Sequence, residues 1–353
     1  MLLPLAAEPS TLQVVWYVLI AVLWIGYLVL EGFDYGVGML IPFLGKNEKE
    51  RRVIVNTVGP LWDGNEVWLL TAGGATFAAF PGWYATLFSG LYVPFFLILV
   101  GLIIRGVSFE YRAKHPDARW RNAFDWMACI GSFIVSLVFG VGFANFIIGM
   151  PVALAEGSQH LHVFTGGFWS LFSPFALLGG VVLVVLFLFH GANFLALKTK
   201  GVVHDRAEAF SGKVGLVAIV GGAIYLVWAN LAYGWGIVGW LLTVLAAVGL
   251  IASWLAIRQG RDGWAFIATT VTILLVAVWI FGRMWPNLGF DNSAAAVPLD
   301  RVTAASTELT LTIMTGAAVV FVPIVLAYQA WSIWIFRKRI STKNIPDDVA
   351  VAA

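Results

Sequence analysis

The sequence is poor in cysteine and in charged residues. It has one cysteine, Cys129, among 353 residues, and only 11% of the residues are charged. A single cysteine excludes an intrachain disulfide and any metal cluster held by several cysteines of this chain. No Lys or Arg precedes Lys46, so the N-terminus lacks the basic region of a secretory signal. We therefore expect the first apolar run to be an uncleaved membrane span.

Histidine is scarce as well, with five residues in the chain. Only His190 lies clearly within a long apolar run, whereas bis-histidine haem ligation or a haem–copper centre needs several such histidines. The absence of Cys-x-x-Cys-His excludes covalent c-type haem, and no Walker loop or nucleotide fingerprint occurs. The pattern predicts no metal site in this chain, favours a structural role for His190 over haem ligation, and assigns any redox centre largely to another polypeptide.

Apolar residues, in contrast, are abundant. The chain is 60% hydrophobic, has 17 Trp and a mean hydropathy of +0.89, which is typical of an integral membrane protein. A spanning helix needs roughly 20 mostly apolar residues, and continuous runs of that length favour helices over the alternating strands of a barrel. We predict an all-α, polytopic protein with nine transmembrane helices, at about 14–42, 53–80, 83–110, 122–149, 168–198, 214–234, 236–257, 263–284 and 308–336.

The positive charges predict the orientation in the membrane. Nearly all of the 21 Lys and Arg residues fall in the links after runs one, three, five and seven and in the C-terminal tail. Only Arg283 and Arg301 lie on the opposite side, and Arg105 lies inside the third run. Because cytoplasmic loops are enriched in Lys and Arg, the N-terminus should be outside and the C-terminus in the cytoplasm. The net charge of +2 reflects this asymmetry and gives no reason to expect nucleic-acid binding.

Two carboxylates interrupt the second apolar run. Asp63 and Glu66 are three residues apart, so a helix places them on one face, with Trp62 on the same side and Asn65 between them. An ionisable group at bilayer depth costs on the order of 2.5–3.5 kcal/mol, so it normally faces a bundle interior or a wet path. We therefore expect these residues to face a bundle interior or a wet path, not the lipid, and to be candidates for proton relay.

The first run carries a second acidic pair, Glu31 and Asp34, with the same spacing. A short charged loop makes the first two runs antiparallel neighbours, so the four carboxylates should share one region. Arg105 lies near the cytoplasmic end of the third run, where it could snorkel to the surface or pair with Glu31, Asp34 or Glu110. We favour pairing, which could be purely structural.

Buried carboxylates are compatible with three classes of function. One is a proton-conducting subunit of a terminal oxidase, another is a proton-coupled secondary transporter, and the third is a haem-free, quinone-binding anchor of another respiratory complex. A transporter would more often show matching features in two inverted halves, whereas the acidic pairs here crowd into the first two runs.

Several motifs resemble a known family, subunit II of the cytochrome bd quinol oxidases. The resemblance is carried, in the family's order, by Glu31-Gly-Phe-Asp-Tyr-Gly-Val-Gly-Met, Gly59-Pro-Leu-Trp-Asp-Gly-Asn-Glu-Val-Trp, Arg105-Gly-Val-Ser-Phe-Glu-Tyr-Arg, Arg119-Trp-Arg-Asn, Asp125-Trp, Ser173-Pro-Phe-Ala-Leu-Leu-Gly-Gly and Thr310-Leu-Thr-Ile-Met.

The resemblance implies a heterodimer in the bacterial cytoplasmic membrane. Subunit I would hold two b haems and one d haem, and the complex would oxidise quinol and reduce dioxygen to water. This chain would form a single membrane domain, 1–353, with a first four-helix bundle at 14–149, a second at 168–284 and a ninth helix at 308–336. A structural quinone in this subunit and small accessory subunits are left open.

The family's residue roles transfer only to matching positions. Asp63 corresponds to an aspartate of a cytoplasmic proton route, which Trp62 and Asn65 adjoin, and Trp68 lies near a hydrophobic oxygen path. Glu66 is expected on the same proton route, with Glu31, Asp34 and Arg105 as a supporting ion-pair cluster. His190 stands where the familiar pattern has glutamine, so no family role transfers to it.

Overall fold

The computed structural model describes residues 8–158, 161–295 and 297–346, which are mostly helical. The α-helices within these residues are α1 (Thr11–Leu44), α2 (Glu48–Val58), α3 (Trp62–Ala79), α4 (Pro81–Gly90), α5 (Tyr92–Tyr111), α6 (Ala118–Ile148), α7 (Pro174–Lys198), α8 (Val202–Tyr233), α9 (Ile237–Arg258), α10 (Asp262–Met284) and α11 (Glu308–Ile335). Short 3-10 turns occur at Arg112–Lys114, Phe168–Phe172 and Thr342–Asn344.

The predicted all-α polytopic class is confirmed. Eight helices of the described chain, α1 and α5 to α11, are long and apolar enough to cross a membrane. Several begin at a side-chain cap that satisfies a free backbone N–H: Ser10 and Gln13 form a capping box at α1, and Ser173 caps α7. The predicted count of nine continuous spans is not confirmed, because the second predicted run is divided.

The prediction of one helix over 53–80 is wrong. The chain forms α2, turns at residues 59–61 and begins α3 at Trp62. Pro60 lacks the N–H that would continue the helical hydrogen bonds, and its ring collides with the carbonyl group one turn earlier. The division places Asp63 in the first turn of α3, where the positive end of the helix dipole favours a carboxylate.

The third predicted run, 83–110, is also divided. It consists of α4 and α5, which are separated at Leu91. Pro94 lies in the first turn of α5, where its missing N–H is not needed, so the helix begins anew just before it. The predicted continuous helix over 83–110 is therefore also wrong.

A small sheet closes the end of the helical assembly that is remote from the basic links. β1 (Met150–Leu154) pairs antiparallel with β2 (His162–Phe164) and parallel with β3 (Phe290–Asp291). The Oγ of Ser306 donates to the carbonyl oxygen of Ala78 at 2.6 Å, which fastens the link before α11 to the corner between α3 and α4.

The helix α1 lies at the centre and packs against α3, α6, α7 and α10. Its approach to α7 requires glycine, since a Cβ on Gly36 would overlap the backbone of Phe187 and Gly191. In contrast, α11 is peripheral, with Leu311 as its one buried residue. The division of the helices into two four-helix bundles at 14–149 and 168–284 stays a prediction.

Candidate functional site

The acidic residues of α1 lie in the protein interior. Glu31 and Asp34 are both fully buried, and their three-residue spacing puts them on neighbouring positions of one helix face. The neighbouring helices supply the residues that meet them: α5 brings Arg105, which is also fully buried, and α3 brings Asn65 and Glu66. We refer to Glu31, Asp34, Asn65, Glu66 and Arg105 as the acid cluster.

The guanidinium group of Arg105 lies between two carboxylates. Its Nη1 is 2.9 Å from Oε2 of Glu31 and 3.0 Å from Oε1 of Glu66. The guanidinium carbon also lies 4.7 Å from the ring centroid of Tyr35, within cation–π range. Arg105 therefore pairs inward with Glu31 and Glu66 and does not snorkel to the surface.

Asp34 takes part in a separate hydrogen-bonded chain. Its Oδ2 accepts a hydrogen bond from Nδ2 of Asn65 at 2.7 Å, and Oδ1 of Asn65 accepts one from Nε2 of Gln329 at 2.9 Å. The other carboxylate oxygen of Asp34 is buried without a hydrogen-bond partner in the described residues. Sequence reasoning missed Gln329, although a lone amide side chain within an apolar run was a signal that could have identified it.

Asp63 does not belong to this buried group. Asp63 is exposed on this chain, whereas Glu66 is half-buried and contacts Arg105. The reason is the break at Pro60, which makes Asp63 part of the first turn of α3, where Gly64 is exposed as well. Trp62 is half-buried, with its ring 5.6 Å from that of Phe109.

Trp68 lies against α1, two residues beyond Glu66 on α3. It is half-buried, and its ring fills the space that a side chain on Gly26 would need. On the same helix Val67 and Leu70 are exposed by 50% and 73%, so the surface around Trp68 is apolar.

His190 is bonded on both sides of its ring. Its Nδ1 lies 2.7 Å from Oγ1 of Thr269, its Nε2 lies 3.1 Å from the carbonyl oxygen of Val29, and the ring stacks on Phe266. Both nitrogens are thus occupied by neighbouring helices, which fits the structural role and does not fit axial ligation of a haem iron.

Arg112 and Asp125, which belong to two of the motifs that resemble the family, form an ion pair at the basic end of the helices. Arg112 contacts Asp125 at 2.6 Å and Glu48 at 2.8 Å, and Arg51 contacts Asp125 at 3.0 Å. These contacts join α2, the end of α5 and α6. Arg112 and Asp125 therefore stabilise the packing of these helices at their basic end.

A second ion pair at this end joins α2 to α8. Oε2 of Glu50 accepts hydrogen bonds from the backbone N–H of Lys46 at 2.8 Å and from Arg206 at 2.5 Å. Burial favours the neutral acid, but these hydrogen bonds and the charge of Arg206 outweigh it and lower the pKa of Glu50. The carboxylate is thus stabilised in its ionised form.

Comparison with known proteins agrees with the resemblance noted in the motifs. The family model described as cytochrome bd terminal oxidase subunit II matches residues 12–336. The chain is 39% identical to "Cytochrome bd ubiquinol oxidase subunit 2" of Bacillus subtilis (strain 168), covering 95% of this chain and 98% of that protein. It is 38% identical to "Cytochrome bd-I ubiquinol oxidase subunit 2" of Escherichia coli (strain K12), covering 95% and 97%.

A solved structure has the same fold. In the structure of bd oxidase from Geobacillus thermodenitrificans, one chain superposes with a TM-score of 0.75 at 18% identity, covering 93% of this chain and 99% of that one. The sequence matches extend over almost the whole length and include the motifs that build the acid cluster. The chain therefore belongs to the cytochrome bd terminal oxidase subunit II family, and it is a subunit of a membrane-embedded oxidoreductase of the bd type.

Proposed function

We propose that this chain pairs with subunit I to form a quinol oxidase that reduces dioxygen to water, in which subunit I carries two b haems and one d haem. The names of the Bacillus subtilis and Escherichia coli relatives, both ubiquinol oxidase subunits, support the substrate class. The occupied ring nitrogens of His190 support haem ligation by the partner. Haem would supply the electron-transfer and oxygen chemistry.

Purification from the native membrane tests this proposal. The chain should co-purify with a haem-bearing partner, the complex should show the red absorption band of haem d, and quinol should drive oxygen consumption. A stable, colourless protein that purifies alone would contradict it.

Within the complex, we propose that this chain supplies part of the proton route from the cytoplasm. The observation that carries the proposal is the acid cluster itself, in which Glu31 and Glu66 pair with a single cation, Arg105, and the buried Asp34 adds a third carboxyl group. Because carboxyl groups outnumber cations, one can take up and release a proton while the ion pair of Arg105 stays intact. The unpartnered oxygen of Asp34 offers a place for a water or a proton.

Asp63 is the proposed entry to this route. Asp63 is exposed, and Asn65 and Glu66 follow it on α3. Asn65 contacts Asp34, and Glu66 contacts Arg105. Trp62 borders the entry. Protons would pass from Asp63 towards Glu66 and Asp34, and Asn65 would donate its hydrogen bond to the Asp34 carboxylate. Glu31 and Arg105 would form the supporting ion pair.

Substitution of the two aspartates tests the route. Asp63→Asn and Asp34→Asn should each slow quinol oxidase turnover by at least about tenfold, a lower bound beside the roughly 10²–10⁴-fold effect of a lost acid–base group, with haem content retained. Asp205→Asn, which removes an exposed carboxylate at the basic end, is the control and should leave turnover unchanged. Undiminished turnover in Asp63→Asn would remove that residue from the route.

The remaining assignments complete the proposal. Trp68 borders an oxygen path from the bilayer, which the exposed apolar residues beside it support. The Lys and Arg distribution supports an N-terminus outside and a C-terminus in the cytoplasm. The helices would form two four-helix bundles, 14–149 and 168–284, with 308–336 as the ninth. Mass spectrometry of the purified complex would detect a structural quinone or small accessory subunits.

A further inference from the structure

The peripheral helix α11 contacts the acid cluster through one polar side chain. Gln329 is half-buried in a helix whose neighbouring side chains are exposed, among them Val325 by 51% and Tyr328 by 62%. Its Nε2 donates to Oδ1 of Asn65 at 2.9 Å, and Asn65 in turn is only 1% exposed. The bond joins residues 264 positions apart in the chain.

The direction of these bonds matters because a carboxamide has two different ends. Its oxygen only accepts hydrogen bonds and its nitrogen only donates them. Since Gln329 donates to the oxygen of Asn65, the nitrogen of Asn65 faces Asp34, to which it donates at 2.7 Å. Without Gln329, the amide of Asn65 could rotate and present its oxygen to the carboxylate.

We propose that Gln329 is a positioning residue of the proton route, which acts through Asn65 by keeping that residue's amide donor on the Asp34 carboxylate. The inference rests on the proposed function of the acid cluster and adds α11 to it. Gln329 itself neither carries the proton nor touches Asp34. Its effect on turnover therefore depends entirely on Asn65.

A purely structural role as an anchor for α11 is the alternative that the experiment must separate. The same helix has another side-chain anchor far from the cluster, because Nε1 of Trp16 donates to Oγ1 of Thr315 at 3.0 Å. Thr315→Val removes this side-chain bond and serves as the control, although Nε1 of Trp16 keeps a bond of 3.3 Å to the carbonyl oxygen of Leu311 on the same helix. If anchoring alone mattered, Thr315→Val and Gln329→Leu would have similar effects.

The test is a double-mutant cycle in the complete oxidase complex, with kcat, KM for quinol and haem content measured for each variant. Gln329→Leu should lower kcat by about two- to tenfold, the equivalent of losing one neutral hydrogen bond, with KM and haem content unchanged. Thr315→Val should leave kcat unchanged. In the Asn65→Ala background, Gln329→Leu should change kcat by less than about 1.5-fold, because its target is gone.

Other outcomes overturn the proposal. It fails if Gln329→Leu lowers kcat equally in both backgrounds, if Thr315→Val has the same effect, or if Gln329→Leu is inert while Asp34→Asn slows turnover. Gln329→Met keeps the side-chain length, so loss of haem content in both Gln329 variants would identify a structural anchor instead. If Asp34→Asn and Asn65→Ala both retain full turnover, the proton route itself is wrong, which is a separate result.

Discussion

Replacing Arg105 by leucine should destabilise the protein far more than removing a surface charge. Arg105 is fully buried, and its Nη1 lies 2.9 Å from Glu31 and 3.0 Å from Glu66. The substitution leaves the carboxylate of Glu31, which is also fully buried, without its cation. Breaking a buried ion pair by removing one partner costs about 3–5 kcal/mol. The free energy of unfolding of a typical protein is only about 5–15 kcal/mol, so the loss is a large fraction of it.

A double substitution separates electrostatics from lost packing. Replacing both Arg105 and Glu31 by leucine removes the charge and its partner together, and such apolar replacements are often neutral or stabilising. Glu66 has a side chain that is 24% exposed, so it can reach water once Arg105 is gone. The double variant should therefore recover most of the stability that Arg105→Leu loses.

The assay is the amount of haem-bearing complex in the membrane, together with the temperature at which the purified complex unfolds. Arg258→Leu, at an exposed position of the basic end, serves as the surface control. An Arg105→Leu complex that is as abundant and heat-stable as the unchanged protein, yet inactive, would refute the structural reasoning. A double variant no more stable than the single one would refute the electrostatic cause.

Two further substitutions test residues outside the acid cluster. Glu50→Gln should lower thermal stability at neutral pH, because the lowered pKa of Glu50 means that folding favours its ionised form. The difference in stability between the two proteins should disappear as the pH falls from about 4.3, the pKa of Glu in the unfolded chain, through the lower pKa of Glu50 in the folded protein. Thermal unfolding over a pH series measures this difference. His190→Leu should keep the haem absorption bands but reduce stability by about 1–3 kcal/mol, because the buried hydrogen bonds of the ring to Oγ1 of Thr269 and to the carbonyl oxygen of Val29 are lost. Loss of a haem band in His190→Leu would instead assign an iron to this chain.

The fold class and the interior position of Glu31 and Asp34 follow from local patterns in the chain. Hydropathy acts locally, so runs of apolar residues identify membrane helices without knowledge of their neighbours. The periodicity of the helix likewise places Glu31 and Asp34 on one face, and the cost of charge in the bilayer directs that face inward. The scarcity of histidine favoured a structural role for His190, and both ring nitrogens of that residue form hydrogen bonds with neighbouring helices.

The contacts between residues of different helices, in contrast, depend on how the helices pack. The break at Pro60 exposes Asp63, although the surrounding residues are apolar enough to suggest one continuous span. Arg105 had three candidate partners within reach by sequence, and packing of α1, α3 and α5 selected Glu31 together with Glu66. Gln329 meets Asn65 across 264 residues of chain. Such contacts depend on how whole helices pack and rotate against each other, and no local pattern of residues specifies that geometry.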